Sequence, residues 1–199
     1  MNVKEVLQQF VEGATDLRFN NVEVTPETIH AIMINEIVPS HPEEDFYGKS
    51  DAAYMTTTIP LFKKAGIEVD SVQDILNKGI YITNAVKIPK NGYVVSKESI
   101  EESLPYLERE LALFANVKVI MLMCDVAKND FNMIGKKAIK KNVIPSVSTY
   151  KLRNTEISYN GVRILPSYIM TGQNILIEKS KFEMASEDIS MMYRLIMKK

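Results

Sequence analysis

The residues best suited to chemistry fall in three short runs. The first is NEIVPSHPEEDFYG, which gathers Asn35, Glu36, His41, Glu44 and Asp45 with Phe46, Tyr47 and a closing Gly48. The second is YITNAVKIPK, where an apolar pair ends in Thr83–Asn84 and is followed by Lys87 and Pro89. The third is PSYIMTGQ, with Ser167, Tyr168 and Thr171. A carboxamide offers a donor and an acceptor side by side, which suits the edge of a nucleobase. A carboxylate near neutrality accepts protons or steadies positive charge. Asn84 is therefore the candidate base reader and Glu36 the candidate acid. A lone loop imidazole such as His41 titrates near neutrality, which is its chemical recommendation; exposure to solvent is the commoner fate of such a side chain. Asn84 has a plainer reading too, as a turn residue after a strand, and Glu44 and Asp45 fit the acids that ordinarily precede a glycine turn.

Three periodic patterns position these runs. Ile29–Ile37 is an apolar stretch suited to a strand buried on both faces, expected to end near Ile34. Ile80–Thr83 and Val117–Met123 are read as further strands. Between them, Ile100, Leu104, Leu107, Leu111 and Phe114 recur at steps of four and three, a helix with an expected Ser99/Glu102 capping box and a kink at Pro105. Asp125 is expected to cap a helix carrying Ala127, Phe131, Ile134 and Ala138 inward. Ser71 and Asp74 form a second capping signal, and Asp51 a third, for a helix over 52–65. Tyr159-Asn160-Gly161 marks a hairpin, and Asn91–Gly92 a turn. Phe182, Ala185, Ile189, Met192 and Ile196 line a final helix. Strands alternating with helices imply an α/β fold, three layers α/β/α around a mostly parallel sheet. Ligands in such sheets sit beyond the carboxyl ends of the strands. Asn35–Gly48, Thr83–Pro89, Cys124–Lys128 and Pro166–Asn174 should therefore share one rim.

Composition narrows the class. The chain has 199 residues, 46% hydrophobic and 25% charged, enough for one domain over 1–199 with a sizeable core. The first residues read as an amphipathic helix rather than a signal peptide, and no stretch is long and apolar enough to span a bilayer. With one cysteine, Cys124, no intramolecular disulfide is possible, and a cytoplasmic setting is expected. A buried, inert thiol is the expected state of that cysteine. A formal charge of −1 argues against tight non-specific DNA binding but leaves room for a local basic face. The lysines of GKKAIKKN, Lys136 and Lys137 among them, are a candidate phosphate contact, although a solvated helix end is the commoner meaning.

From about residue 29 to 190 the chain resembles the uracil-DNA glycosylase superfamily. Its layout is that of the branch with motifs of the form GEAPG, ED-x-x-G, TNAVKC and PTYHPS. Glu36 and Pro39 match the first motif, Glu44-Asp45-Phe46-Tyr47-Gly48 the second, Thr83-Asn84-Ala85-Val86-Lys87 the third, and Pro166-Ser167-Tyr168 the start of the last. The resemblance implies a four-stranded parallel sheet and a DNA glycosylase that hydrolyses the N-glycosidic bond of uracil or another damaged base flipped out of DNA. It gives Asn84 the reading of the base, Glu36 the attacking water or the cationic sugar, and Phe46 or Tyr47 the stacking role. Asn35, His41, Asp45, Ser167, Tyr168 and Thr171 stand as auxiliary candidates, and Lys87, Lys136 and Lys137 as phosphate contacts, with DNA the expected partner. Three departures accompany it. Ile88 replaces a cluster cysteine, and one thiol cannot hold a cluster that needs four, so no metal or cofactor is expected. The glycines of GEAPG are absent. Ile169 stands where the last motif has His, a loss worth roughly 10²–10³ in rate for one stabilising donor elsewhere. A non-cleaving module that binds nucleobases or nucleic acid on the same scaffold is the alternative.

Overall fold

The computed structural model describes residues 1–90 and 92–198. Asn91, half of the expected Asn91–Gly92 turn, lies outside the described residues. The elements run α1 (Val3–Gln8), β1 (Ala31–Ile37), α2 (Ala53–Lys64), α3 (Val72–Asn77), β2 (Ile80–Val86), α4 (Lys97–Leu111), β3 (Val119–Leu122), α5 (Asp125–Ile139), α6 (Thr149–Leu152), β4 (Ile157–Tyr159), β5 (Val162–Pro166), α7 (Asn174–Ile177) and α8 (Lys179–Met197). One sheet has the order β2-β1-β3-β5-β4. Its first four strands are parallel, and β4 is antiparallel to β5. The α/β class holds. The sheet has five strands where four were expected, because the Tyr159-Asn160-Gly161 hairpin adds β4. Asn160 and Gly161, at φ 51° and 80°, make the left-handed corner that a two-residue hairpin requires.

Alternation along the strands builds two cores. Ala31, Met33, Ile80, Ile82, Val119 and Met121 face α2 and α8, packing on Leu61, Phe62, Ile189 and Met192. Ile32, Ile34, Tyr81, Ile120 and Leu122 face α1, α4 and α5, packing on Leu7, Leu107, Ala127 and Phe131. β1 runs to Ile37 and β2 to Val86, three residues further in each case than the apolar patterns indicate. Polar side chains hid the extension: Asn35 and Asn84 lie within strands and are buried.

Several caps differ from expectation. Ser96, not Ser99, accepts from the backbone of α4, with Ser99 as its N3 residue. Cys124 caps α5 through its sulfur, and Asp125 is the first helical residue. Glu44 rather than Asp51 accepts from Ala53 at the start of α2. The Ser71/Asp74 capping box is present. α4 continues as one helix through Pro105. No helix is long and apolar enough to cross a membrane.

Candidate functional site

The strand register sets the site. In the parallel pair β1–β2, Asn35 stands beside Asn84. Period-two alternation sends both side chains to the α2/α8 face. There the Asn35 amide donates to Asn84 Oδ1 at 2.9 Å, and Thr171 Oγ1 donates to Asn35 Oδ1 at 3.2 Å. Asn84 Nδ2 donates in turn to both oxygens of Asp45, at 3.0 and 3.1 Å. The Phe46 N–H completes the clasp on Asp45 Oδ1 at 2.8 Å. Four of the residues singled out in the sequence thus form one directional chain, Thr171 to Asn35 to Asn84 to Asp45. Burial pushes the Asp45 carboxyl above its ordinary range, against the lowering effect of the Phe46 N–H and the Asn84 amide.

Asp45 opens onto a cleft of about 320 Å³ beside the edge strand β2, lined by Lys4, Arg18, Phe19, Asn20 and Tyr47 among others. The segment holding Arg18 and Asn20 is drawn against this edge. Arg18 N donates to Lys87 O at 2.8 Å, and Asn20 Nδ2 to Ile82 O at 3.0 Å. Tyr47 covers the same edge from the other side: its hydroxyl accepts the Ile82 N–H at 3.0 Å, and its ring stacks on Tyr81 at 5.8 Å. These contacts occupy ladder groups that an open edge would offer to another chain. Gly48 closes the loop because a Cβ there would meet Glu43 O at 2.2 Å. A larger hollow of about 540 Å³ lies near Thr28 and Asn77, at the other end of the strands, and Glu23 is the acidic side chain on it.

The remaining predicted residues are placed elsewhere. Glu36 follows Asn35 on β1, so its side chain leaves the opposite face of the sheet. It is half-buried, and among the described residues its carboxylate accepts no hydrogen bond. Its charge is felt by Cys124 on the α5 side and by Tyr54. Glu36 therefore does not line the Asp45 cleft. Phe46 is 1% exposed and packs on Tyr54 in the core, so it is no stacking platform; Tyr47 is the aromatic that reaches the cleft. His41 is solvent-exposed beside Glu43 at 3.7 Å. Ser167 is buried and donates to Asp188 Oδ2 at 2.6 Å, joining an Arg153–Asp188 pair that ties α6 to α8. Tyr168 is half-exposed after β5 and makes no hydrogen bond among the described residues.

The lysines also differ from expectation. Lys87 is 1% exposed and pairs with Glu110 of α4; its ammonium also reaches Thr83 Oγ1 at 2.7 Å. Thr83 and Tyr81 both donate to Glu110 Oε1, and Asn20 donates to Tyr81. A cation so enclosed has no phosphate to meet. Lys137 pairs with Glu108, and Lys136 shares its turn at the carboxyl end of α5, away from the rim where that helix begins.

Cys124 fits no metal or cluster role. It is buried, accepts from Ala127, and burial pushes its thiol up to about 12. A protonated thiol is a poor ligand, and a cluster needs four thiolates.

Lys4, Arg18, Phe19 and Asn20 escaped the sequence reading because they precede the region of resemblance and carry no local motif. Asp130 escaped it too, although its place between Ala127 and Ile134 marks the inner face of α5. It is fully buried, and among the described residues neither carboxylate oxygen has a hydrogen-bond partner. No protein-family model matches the chain, and no curated protein matches its sequence.

Proposed function

We propose that this chain binds a single nucleobase, drawn out of a polynucleotide, in the cleft beside Asp45: the recognition half of DNA glycosylase chemistry. The observation that carries the reading is the Thr171–Asn35–Asn84–Asp45 chain, which delivers a fixed carboxylate to a cleft with an aromatic wall. A flat apolar ring between aromatic side chains, with a few fixed polar atoms at its edge, is the usual form of base recognition off the duplex. Lys4 and Arg18 supply positive charge at the same cleft despite the acidic balance of the whole chain. The resemblance to uracil-DNA glycosylases points to the same class of ligand. Asn84 then acts as a positioning residue that holds Asp45, since its amide is already spent on Asp45 and Asn35.

Excision of the base is the second reading, and one observation favours it. Asp45 is the acid on the cleft, and its carboxyl is raised by burial, which suits a group that takes a proton from water. The role given to Glu36 by the resemblance then passes to Asp45. Incubation with single- and double-stranded oligonucleotides bearing uracil, hypoxanthine or xanthine tests both readings. Release of free base, lost in Asp45→Asn and retained in Glu36→Gln, supports excision. Saturable binding without release supports recognition alone. Neither binding nor release for any substrate overturns the proposal.

A further inference from the structure

Two cations on the cleft beside Asp45 have no acid of their own. Arg18 is half-buried, yet among the described residues it enters no ion pair. The other half-buried arginines do: Arg153 pairs with Asp188 and Glu187, and Arg163 with Glu156 at 3.2 Å. Lys4 is exposed on the same cleft and is also unpaired among the described residues. Asp45 does not serve them. Its oxygens are taken by the Asn84 amide and the Phe46 N–H, and the charges it feels most are those of Lys87 and Glu110. A cation drawn partly out of water without a counter-charge carries a desolvation cost that an anion would offset.

Arg18 is held at both ends. Its backbone N–H donates to Lys87 O at 2.8 Å, just past β2, and Nη1 donates to Pro39 O at 2.7 Å and Ser40 O at 2.8 Å on the first loop. Nε and Nη2 make no hydrogen bond among the described residues, and neither does the Lys4 ammonium. A planar guanidinium anchored through one nitrogen, with its other N–H groups uncommitted, is suited to the paired oxygens of a phosphate. Asn21 adds a neutral donor on the same cleft. Asn2 Nδ2 donates to Asn21 Oδ1 at 3.0 Å, and the Asn21 Nδ2 has no acceptor among the described residues.

Resting on the nucleobase reading above, we infer that Arg18 and Lys4, with Asn21, form a phosphate site, so that the cleft takes a nucleotide unit, base and phosphate together, in preference to a free base or a nucleoside. The base lies at Tyr47 and the phosphate at Arg18. A volume of about 320 Å³ is at the small end for a ligand pocket and suits one such unit. Both cations precede the stretch that resembles the glycosylases. They take the role expected of Lys87, Lys136 and Lys137, which do not line this cleft. The same phosphate is carried by a free mononucleotide and by a nucleotide within a single strand.

Calorimetric titration of the full chain with dUMP, dGMP, dAMP and dCMP, each beside its nucleoside, tests this. Loss of a hydrogen bond to a charged group weakens binding about tenfold or more, so the monophosphate of the base that binds best should exceed its nucleoside by at least that factor. Arg18→Gln should bring the monophosphate down toward the nucleoside and leave the nucleoside where it was. Lys4→Gln should act in the same direction by a smaller factor, because an exposed charge is worth less. A pentanucleotide with the same base at its centre identifies the source. Tighter binding than the monophosphate, with a salt slope that Arg18→Gln makes shallower by about 0.7, identifies the single strand; weaker binding identifies the free nucleotide. Nucleoside and monophosphate binding equally well overturns the phosphate site and leaves the nucleobase reading intact. A loss in Arg18→Gln that falls equally on both overturns it as well, because Arg18 is then only a strap on the cleft wall. Deoxyribose 5-phosphate binding as tightly as the monophosphates sustains the phosphate site and overturns the nucleobase reading. Binding of none of these overturns both. The wild-type comparison of nucleoside with monophosphate stands even where a variant folds poorly.

Discussion

Asp130 offers a measurement of what an isolated buried carboxylate costs this fold. It lies on the inner face of α5, fully buried, with both oxygens unpartnered among the described residues. Burial raises its pKa from 3.8 to about 7. The folded state therefore holds the proton more tightly than the unfolded chain. Below about pH 4 both states are protonated and the group is neutral toward stability. As pH rises from about 4 to 7 the unfolded chain gives up its proton first, and stability falls. Above about pH 7 the whole penalty is present. Three pKa units at 1.36 kcal/mol each amount to about 4 kcal/mol, as an order of magnitude, a large share of the stability of a typical domain. Asp130→Asn removes the charge and keeps the shape. Urea unfolding followed by circular dichroism, at steps from pH 4 to 8.5, should give nearly equal stabilities at the acid end. A gap favouring the variant should open through pH 5–7, up to about 4 kcal/mol at pH 8. Asp45 and Asp188, whose carboxyls are also raised mainly by burial, titrate in both proteins and cancel in the difference. A gap that does not change with pH would refute the reasoning, because it would mean that Asp130 keeps one protonation state across the range or finds a partner.

Three further substitutions probe the surroundings of β2. Asn84→Ala should cost about 2–3 kcal/mol, since it strips a donor from Asp45 and leaves the Asn35 amide unpaired; a shift of the urea midpoint at constant slope measures it. Lys87→Met should cost about 3–5 kcal/mol by leaving the buried Glu110 carboxylate without its cation, and the double variant Lys87→Met/Glu110→Leu should recover most of that; a double-mutant cycle reads the coupling. Gly48→Ala should displace the loop at Glu43 and reduce affinity for any ligand of the cleft, because the new Cβ meets a backbone oxygen that has no rotamer to yield with; calorimetry together with thermal melting separates the local from the global effect.

The fold was readable where burial followed a period. The inner face of α5 from Ala127 to Ile134, the inner face of α8 and the Tyr159-Asn160-Gly161 corner are plain in the sequence because their apolar spacing or turn chemistry is local, whereas Ala138, expected inward, is exposed in the last turn of α5. The ends of β1 and β2 were not readable, since Asn35 and Asn84 look like loop residues until their partners are known. Those partners come from distant segments: Asp45 and Thr171 for the asparagines, Glu110 for Thr83 and Lys87. For the same reason Lys87 looked like a surface cation and Phe46 like an exposed aromatic. The cleft wall at Asn20 depends on that side chain being held by Tyr81, a contact across 61 residues that no spacing rule reports. The gathering of Asn35, Asn84, Asp45 and Thr171 was legible in outline, because parallel strands deliver their carboxyl ends to one rim.

Thr83-Asn84-Ala85-Val86-Lys87 joins two polar networks, one on each face of the edge strand. Thr83 and Lys87 point to α4 and Glu110, while Asn84 points to Asn35 and Asp45. The first network encloses a buried ion pair and meets the cleft at Asn20 through Tyr81. The second ends on a carboxylate that lines the same cleft. Replacing every partner of a buried hydrogen-bonded set by apolar groups of similar shape is often nearly neutral for stability. The triple variant Asn35→Leu/Asn84→Leu/Asp45→Leu applies that test. Its stability should stay within about 2 kcal/mol of wild type, since the set is removed whole and only the Thr171 hydroxyl and the Phe46 N–H lose partners. Nucleotide binding should vanish. A loss of about 5 kcal/mol or more, with the fold no longer cooperative in urea, would mean that the chain from Thr171 to Asp45 is retained to hold β1, β2 and the first loop together, and the case for a ligand at Asp45 would then rest on the cleft alone.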